Sequence, residues 1–282
     1  MTKVVNKVSD LQELITNKKV GAVFTMGALH AGHGELIDEC RRHIGGDSIL
    51  IVTIFVNPTQ FNDPKDLEQY PRDLANDVEL CAQHNVDIVF APIASEVYPP
   101  DNPVKEISPG EIAEILEGQS RPGHFEGVAT VVNRLLEITQ PAVTCFGEKD
   151  YQQLVVVRQL VKAQAINVEV VAVNTVRETD GLAMSSRNQR LTFEQRTIAA
   201  NLCKALKSVS KDLAAGNSID VSVSRAKDWL AQFPQVDLDY LTVLSRDLAK
   251  PVPGLARILI AARIGDVRLI DNLECELVAA NV

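Results

Sequence analysis

Short apolar runs alternate with amphipathic segments along residues 1–175. The apolar runs are rich in Val and Ile and have few polar interruptions, which is typical of strands that helices cover on both faces. The predicted strands are Val20–Thr25, Ser48–Val56, Val86–Ala91, Ala142–Phe146 and Val168–Asn174. The predicted helices are Gly34–Arg42, Asp73–His84, Gly110–Leu116, Phe125–Ile138 and Tyr151–Ala165. Strands that alternate with helices in this way predict an α/β domain built on a parallel sheet.

The pattern changes in residues 176–282. Two long helical stretches come first, Thr192–Ala214 and Val221–Ala231. Three strand-like segments follow them: Asp237–Val243, Ala256–Arg263 and Val267–Asn272. The last two are joined by Ile264-Gly-Asp266, and a Gly-Asp pair between strands is a hairpin signal. We therefore expect a smaller α+β domain in residues 176–282, with a boundary near residue 175.

Composition and charge narrow the classes of function. The net charge of −9 argues against nucleic acid as the main partner, because binding to a phosphate backbone needs a basic surface. The five cysteines are scattered and form no CxxC pair, which favours buried thiols in a reducing compartment. The first residues lack the apolar core of a signal peptide, and every apolar run is too short to span a bilayer. We expect a cytoplasmic protein with no membrane contact.

The segment His30-Ala-Gly-His33 lies between the first predicted strand and the first predicted helix. At such a junction in α/β proteins, backbone N–H groups and the helix dipole favour a negative charge. Because imidazoles can donate hydrogen bonds there, the segment predicts a phosphate-binding loop. Two other interpretations stay open: a metal site, although zinc usually takes three or four protein ligands, and ordinary capping of the helix. Neither G-x-x-x-x-G-K-[ST] nor G-x-G-x-x-G occurs.

Further polar groups follow two other predicted strands. Asn57 and Gln60 come after the second strand, where their neutral amides can orient a hydroxy acid; the alternative is a plain turn, because Asn-Pro is a turn signal. Gly147–Asp150 follows the strand that ends at Phe146. There Lys149 can meet a phosphate and an aspartate can cap the next helix, although a solvated turn is the other interpretation.

Two loops carry arginine. Thr179–Asn188 offers serine hydroxyls and Arg187, which suit a leaving pyrophosphate, and its alternative is an ordinary hinge. Arg121-Pro-Gly-His124 precedes a long predicted helix. We expect His124 to cap that helix or to be exposed.

Five motifs occur in a characteristic order and spacing: Met26-Gly-Ala-Leu-His-Ala-Gly-His33, Phe55-Val-Asn-Pro-Thr-Gln-Phe61, Tyr70-Pro-Arg72, Gly147-Glu-Lys-Asp-Tyr-Gln-Gln153 and Met184-Ser-Ser-Arg187. Together they resemble the pantoate–β-alanine ligase family (pantothenate synthetases) of the nucleotidylyltransferase superfamily. The resemblance implies a Rossmann-like parallel sheet with helices on both faces. It also implies that the C-terminal domain forms a lid over the active site.

The resemblance implies a two-step reaction. ATP and (R)-pantoate would form a pantoyl-adenylate and pyrophosphate, and β-alanine would then attack the adenylate to give pantothenate and AMP. Mg²⁺ and a homodimer are expected. Two other hypotheses stay open: a nucleotidylyltransferase that transfers a nucleotide to a phosphorylated alcohol, and a nucleotide-binding regulatory protein without turnover.

The resemblance also assigns roles to residues. His30, His33 and Lys149 would stabilise charge on the ATP phosphates, with His33 as proton donor. Pantoate and β-alanine would meet Met26, Asn57, Gln60 and Gln153. The ATP site would comprise Met26, Gly27, Ala28, Leu29, His30, Ala31, Gly32, His33, Gly147, Glu148, Lys149, Asp150, Val176, Met184, Ser185, Ser186 and Arg187.

Two positions qualify the resemblance. Met184–Arg187 corresponds to the K-M-S-K-S loop of class I aminoacyl-tRNA synthetases but lacks its two lysines, so the pyrophosphate would depend more on Arg187. Asp77 is a candidate magnesium ligand, beside a metal held mainly by the phosphates.

Overall fold

The computed structural model of this chain describes residues 1–61, 67, 68 and 70–282. The chain forms two compact units. The first comprises Met1–Gly147 and Gln152–Asn174, and the second comprises Glu148–Tyr151 and Thr175–Val282. The second unit therefore takes in a short segment from the middle of the chain besides residues 175–282.

The helices and strands of the described residues are numbered in chain order. The strands are β1 (Lys3–Val5), β2 (Val20–Thr25), β3 (Ile49–Ile54), β4 (Ile88–Phe90), β5 (Val143–Gly147), β6 (Glu169–Val173), β7 (Val236–Ser245), β8 (Gly254–Ile264) and β9 (Val267–Leu277). The α-helices are α1 (Val8–Ile15), α2 (Ala31–Ile44), α3 (Leu74–Gln83), α4 (Ala94–Val97), α5 (Glu117–Ser120), α6 (His124–Thr139), α7 (Tyr151–Ala163), α8 (Phe193–Ala214) and α9 (Ile219–Leu230). Turns of 3₁₀ helix are Pro58–Gln60, Glu111–Glu114, Glu148–Asp150 and Ser186–Arg190. None of the helices described is long and apolar enough to cross a membrane.

The first unit is built on a six-stranded sheet in the order β1-β4-β3-β2-β5-β6. All neighbouring strands are parallel, so the predicted parallel sheet is confirmed, and β2 to β6 correspond to the five predicted strands. The strand order reverses at β2, which lies between β3 and β5. In sheets of this kind, ligands bind outside the carboxyl ends of the strands at the reversal. The loops after β2 and β5 therefore begin where a ligand is expected.

The strands of this sheet are apolar because they are covered by helices. Leu50, Val52 and Val89 have no exposed surface, and they share a core cluster with Ile37 and Cys40 of α2. All five cysteines are free and buried, as predicted. Burial raises the pKa of the Cys81 thiol to about 12, which keeps it protonated and unreactive near neutral pH.

Several parts of the first unit differ from the predicted elements. The prediction lacks α1 and the short helices α4 and α5. It also lacks β1, which is short and has only its last residue buried. The predicted helix Gly110–Leu116 is wrong, since only the turn Glu111–Glu114 forms there. Gly110 and Leu116 have φ values of +76° and +50°, and an α-helix requires negative φ throughout.

The second unit packs two helices on an antiparallel sheet in the order β7-β8-β9. α8 and α9 share one hydrophobic core with the sheet, so the predicted α+β arrangement is confirmed. The predicted hairpin is also present, because β8 and β9 pair from Ile264 and Val267 outward. Gly265 in its turn has a φ of +58°, a conformation that glycine adopts without steric cost. α8 begins with a capping box formed by Thr192 and Gln195.

Gly127 lets α6 approach the turn Pro58–Gln60 of the first unit. A Cβ at this position would lie 2.5 Å from the Thr59 carbonyl oxygen and 2.9 Å from the Gln60 nitrogen. Both are backbone atoms, so the turn itself would have to move. Glycine inside a helix costs about 0.5–1 kcal/mol relative to alanine, and the close approach explains its presence here.

Gly127→Ala is therefore expected to lower the free energy of unfolding by about 1–3 kcal/mol, although alanine is the better helix former. Denaturant-induced unfolding measures the change. Gly46→Ala is the matched control, because nothing lies within 4 Å of a Cβ there; its stability should stay within about 0.5 kcal/mol of wild type. Wild-type stability in Gly127→Ala would show that the turn moves at no cost.

Candidate active site

The loop after β2 has a backbone conformation that most residues avoid. Gly27 and Ala28 have φ values of +84° and +51°, and a left-handed conformation costs roughly 1–2 kcal/mol for a residue with a Cβ. The Asp77 carboxylate of α3 accepts hydrogen bonds from the Ala28 N–H at 3.1 Å and the Leu29 N–H at 2.7 Å. A Cβ at Gly27 would lie 2.8 Å from Asp77 Oδ2. This carboxylate–loop contact, the Asp77 clamp, therefore requires glycine at position 27.

Asp77 has a structural role in these contacts. Its side chain is buried, at 3% exposure, and burial raises the pKa of the carboxyl even though the two N–H bonds lower it. Both oxygens are committed to the loop. Within the described residues, no group of three or more His, Cys, Asp or Glu side chains is placed to hold a metal. The contacts of Asp77 thus do not support the predicted magnesium ligand.

His30 and His33 cap the N-terminus of α2 reciprocally. His30 Nδ1 accepts a hydrogen bond from the Gly32 N–H at 3.1 Å, and His33 Nδ1 accepts one from the His30 N–H at 3.2 Å. The capping interpretation is therefore correct, and it explains why α2 begins at Ala31 rather than at Gly34. Because each Nδ1 is an acceptor, each neutral imidazole carries its proton on Nε2. The cap fixes Nε2–H as the donor of each ring.

Met26 and Gln60 meet beside this loop. The Gln60 amide nitrogen lies 2.8 Å from the Met26 sulfur. Gln60 is 8% exposed, and it ends the 3₁₀ turn that follows β3. The structure thus brings together two of the residues predicted to bind pantoate.

Asn57 begins the same turn and is 1% exposed. Its amide oxygen accepts a hydrogen bond from the Tyr98 hydroxyl at 2.8 Å. Its amide nitrogen donates to the Gly127 carbonyl at 3.1 Å and to Gln60 Oε1 at 3.3 Å. These bonds use both donors of the amide, and the predicted turn is present, with Asn57 capping it. Asn57 thus holds the Gln60 side chain from inside the protein, and its predicted contact with substrate stays a prediction.

His124 is buried at 6% exposure, which corrects the prediction that it is exposed or caps α6. Its Nδ1 lies 2.9 Å from the Gln60 carbonyl oxygen, and its Nε2 lies 3.0 Å from Arg121 Nη1. Because arginine can only donate, Nε2 is the acceptor and Nδ1 carries the proton. His124 therefore donates to the Gln60 backbone. The sequence gives no signal for this contact, since the two residues are 64 positions apart.

Two neighbouring glutamines at the start of α7 differ in environment. Gln152 is 4% exposed; it accepts from the Glu117 N–H at 3.0 Å and donates to the Ile112 and Ile115 carbonyls at 2.7 and 2.9 Å. Gln152 thus holds the segment around α5. Gln153, the residue predicted to bind pantoate, is only partly buried.

A cavity of about 390 Å³ opens beside Met26 and Gly27. Its wall continues along residues that follow β3 and β4, and among the described residues it is apolar apart from Arg72, Asp73 and Asp77. The cavity thus lies at the carboxyl edge of the sheet, where ligands of such folds bind.

The second unit contains the other predicted ATP residues except Gly147, which ends β5 in the first unit. Met184 and Val176 are brought together, because the Met184 N–H donates to the Val176 carbonyl at 2.9 Å. Ser185 caps the following 3₁₀ turn by accepting from the Arg187 N–H at 3.2 Å. Lys149 lies in the turn Glu148–Asp150, and its Nζ is 3.7 Å from the Asp150 carboxylate.

A parallel sheet with this strand order, and a helix that begins at its carboxyl edge, define the class of α/β proteins that bind ligands at that edge. A family model described as pantoate-beta-alanine ligase matches residues 3–274. Pantothenate synthetase of Nocardioides sp. is 48% identical over 264 residues, covering 91% of this chain and 78% of that protein. The Aquifex aeolicus enzyme is 43% identical over 275 residues, covering 94% and 96%.

Solved structures agree with the sequence comparison. Pantothenate synthetase from Thermus thermophilus has a TM-score of 0.89 and 41% identity, covering 97% of this chain and 99% of that one. Pantoate-beta-alanine ligase from Francisella tularensis, complexed with beta-gamma ATP and beta-alanine, has a TM-score of 0.80 and 36% identity, covering 97% of each chain. The chain belongs to the pantoate–β-alanine ligase family.

Asp77→Asn is expected to lower the free energy of unfolding by about 1–3 kcal/mol. The amide would turn an N–H donor toward one of the two loop N–H groups, which would lose its bond. Denaturant titration measures the effect. Asp47→Asn, at an exposed carboxylate, is the control and should stay within about 0.5 kcal/mol of wild type. Equal stabilities of the two variants would contradict the Asp77 clamp.

Proposed function

We propose that this protein condenses (R)-pantoate with β-alanine, using ATP, to give pantothenate, AMP and pyrophosphate. The His30–His33 pair at the N-terminus of α2 carries the proposal, because it presents ring donors and helix N–H groups suited to ATP phosphates. The Francisella tularensis relative was solved with beta-gamma ATP and beta-alanine, which supports the same substrates here.

Two steps account for the products. A pantoate carboxylate oxygen attacks the α-phosphorus of ATP, and the bond to the β-phosphate oxygen breaks to release pyrophosphate. The neutral amine of β-alanine then attacks the acyl carbon of the pantoyl-adenylate; the C–N bond forms, AMP leaves with the C–O electron pair, and the amine proton passes to solvent. Neither step needs a covalent bond to the protein, so its contributions are positioning and charge stabilisation.

His33 acts in this proposal as a neutral hydrogen-bond donor rather than as the proton donor implied by the resemblance. Its Nδ1 accepts the His30 N–H, so a protonated ring would turn a second N–H toward that donor and break the cap. The Nε2–H groups of His30 and His33 then donate to phosphate oxygens. Lys149 supplies the positive charge, and Arg187 receives the leaving pyrophosphate.

The remaining assignments follow the resemblance. Gln60 binds pantoate and β-alanine, and Gln153 and Met26 bind pantoate. Asn57 is the exception, because its bond to Gln60 Oε1 lets it act through Gln60. The ATP site comprises Met26–His33, Gly147–Asp150, Val176 and Met184–Arg187.

We expect Mg²⁺ to be held by the ATP phosphates, because both Asp77 oxygens are committed to backbone N–H groups. A homodimer in the cytoplasm, and a lid formed by residues 176–282, also stay predictions.

His33→Gln separates the cap from the proposed phosphate contact. Glutamine at the third position of a helix can accept the N-cap N–H, so α2 should keep its start and the variant its stability. The imidazole donor is lost, and the rate should fall by about 10²–10³-fold, as for other single donors to a developing anion. His43→Gln, at an exposed histidine of the same helix, is the control. Near-normal turnover in His33→Gln would refute the phosphate role.

The reaction itself is tested with Mg-ATP, pantoate and β-alanine, omitting one component at a time. AMP and pantothenate should form only in the complete mixture, and pyrophosphate should form from ATP and pantoate at up to one equivalent of enzyme. A nucleotidylated product in place of AMP would identify a nucleotidyltransferase. ATP binding without pyrophosphate release under any mixture would identify a regulatory protein.

His124→Ala is expected to raise the KM for pantoate by about tenfold, since the Gln60 carbonyl loses a buried donor. The KM for ATP should change little. His124→Asn keeps an N–H close to the position of Nδ1 and should retain more of the wild-type value. Steady-state kinetics against each substrate measures the difference. An equal rise for both substrates would mean that His124 only supports the fold.

A further inference from the structure

Two consecutive residues of β9 hold the two segments of the second unit that the proposed function assigns to ATP. Asp271 and Asn272 are 5% and 4% exposed. Consecutive side chains of a strand point to opposite faces of the sheet, so each residue can serve a different segment.

Asn272 binds the segment that carries Lys149. Its amide nitrogen donates to the Glu148 carbonyl at 2.8 Å and to the Lys149 carbonyl at 3.0 Å. Both donors of the amide are used, and both acceptors belong to the backbone. The backbone from which the Lys149 side chain extends is therefore fixed at two consecutive peptide groups.

Arg257 of β8 also holds the segment Glu148–Asp150. It is 3% exposed, and its two terminal nitrogens lie 3.3 and 3.2 Å from the Glu148 carboxylate oxygens. Its guanidinium carbon lies 4.1 Å from the centre of the Tyr151 ring, a cation–π distance. Arg257 also donates to Asn272 Oδ1 at 3.3 Å, which orients the amide so that its nitrogen faces the two carbonyls.

Asp271 holds the other segment. Its oxygens accept hydrogen bonds from Arg177 at 2.7 and 2.9 Å in a bidentate pair. Arg177 also donates to the Gly181 carbonyl at 3.1 Å. This bond holds the backbone of the loop that leads to Met184–Arg187. The bidentate geometry gives this pair directional strength.

We propose that Asn272, oriented by Arg257, is a positioning residue that sets the place of the Lys149 ammonium for the ATP phosphates. The inference rests on the proposed function, because it takes Lys149 as the phosphate contact. The Asn272 side chain donates to the backbone carbonyls of residues 148 and 149, so in this proposal it acts through that backbone and not on a substrate. A change at Asn272 should therefore weaken ATP binding and leave pantoate binding intact.

Asn281 provides a matched control in the same unit. It is 2% exposed, and its amide nitrogen also donates to two backbone carbonyls, those of Leu213 and Asn217, at 3.0 and 2.7 Å. In Asn272→Asp and in Asn281→Asp, a carboxylate oxygen replaces the amide nitrogen that donates to two backbone carbonyls. That oxygen would then face both carbonyl oxygens without a hydrogen to share. Both variants should lose similar stability, but only the first disturbs the backbone of Lys149.

The experiment measures binding of a non-hydrolysable ATP analogue by calorimetry, together with the KM for ATP and for pantoate. Asn272→Asp should raise the Kd of the analogue and the KM for ATP by about tenfold or more, whereas Asn281→Asp should change neither. If Asn272→Asp does not fold, Asn272→Ala takes its place. This variant removes the donors without adding repulsion, so the Kd and the KM for ATP should rise by a smaller factor.

A double-mutant cycle shows whether the effect passes through Lys149. In a Lys149→Ala background, Asn272→Asp should weaken analogue binding no further, because coupled residues are not additive. An equal loss in both backgrounds, or an equal shift in Asn281→Asp, would overturn the inference. Analogue binding without pantothenate formation by wild type would refute the proposed function alone and leave the cycle measurable. No analogue binding by wild type would refute both.

Discussion

One buried carboxylate holds the loop on which the candidate site depends. Asp77 binds two consecutive N–H groups of a left-handed segment, and this contact offsets the cost of placing Ala28 at a positive φ. The loop then delivers His30 to the start of α2 in a fixed orientation. Because the histidines also cap the helix, ring orientation and helix start depend on each other, and both depend on the Asp77 clamp.

Hydrogen bonds inside the protein distinguish the polar side chains that build the site from those that we propose to meet a ligand. The side-chain amides of Asn57 and Gln152 form hydrogen bonds with partners inside the protein. Gln60 and Gln153 lie within three residues of them and have the same amide chemistry. Residue type alone therefore cannot distinguish a substrate contact from a positioning residue in this candidate site. The number of internal partners makes that distinction, because a buried amide with all its bonds made has little left to offer a substrate.

Local patterns predict most of the fold, because apolar period and turn residues act over short stretches of chain. β2 to β6 and the β8–β9 hairpin follow from them, and the junction of β2 with α2 locates the histidine pair. The roles of His124 and Asn272 do not follow, because their backbone partners lie 64 and 124 positions away in sequence. The predicted helix Gly110–Leu116 is wrong because Gly110 and Leu116 have positive φ values, and for leucine the residue type does not predict such a conformation.

The pairing register of the β8–β9 hairpin determines the faces of the sheet on which Asp271 and Asn272 project. Asp271 and Asn272 stand opposite Ile260 and Leu259 in its ladder, and a slip of one residue would exchange the faces on which they project. The register starts at the Gly265 turn, since a hairpin's loop length fixes which residues pair. The length of a turn six residues from Asp271 thus determines which face of the sheet carries the Asp271 carboxylate and which carries the Asn272 amide.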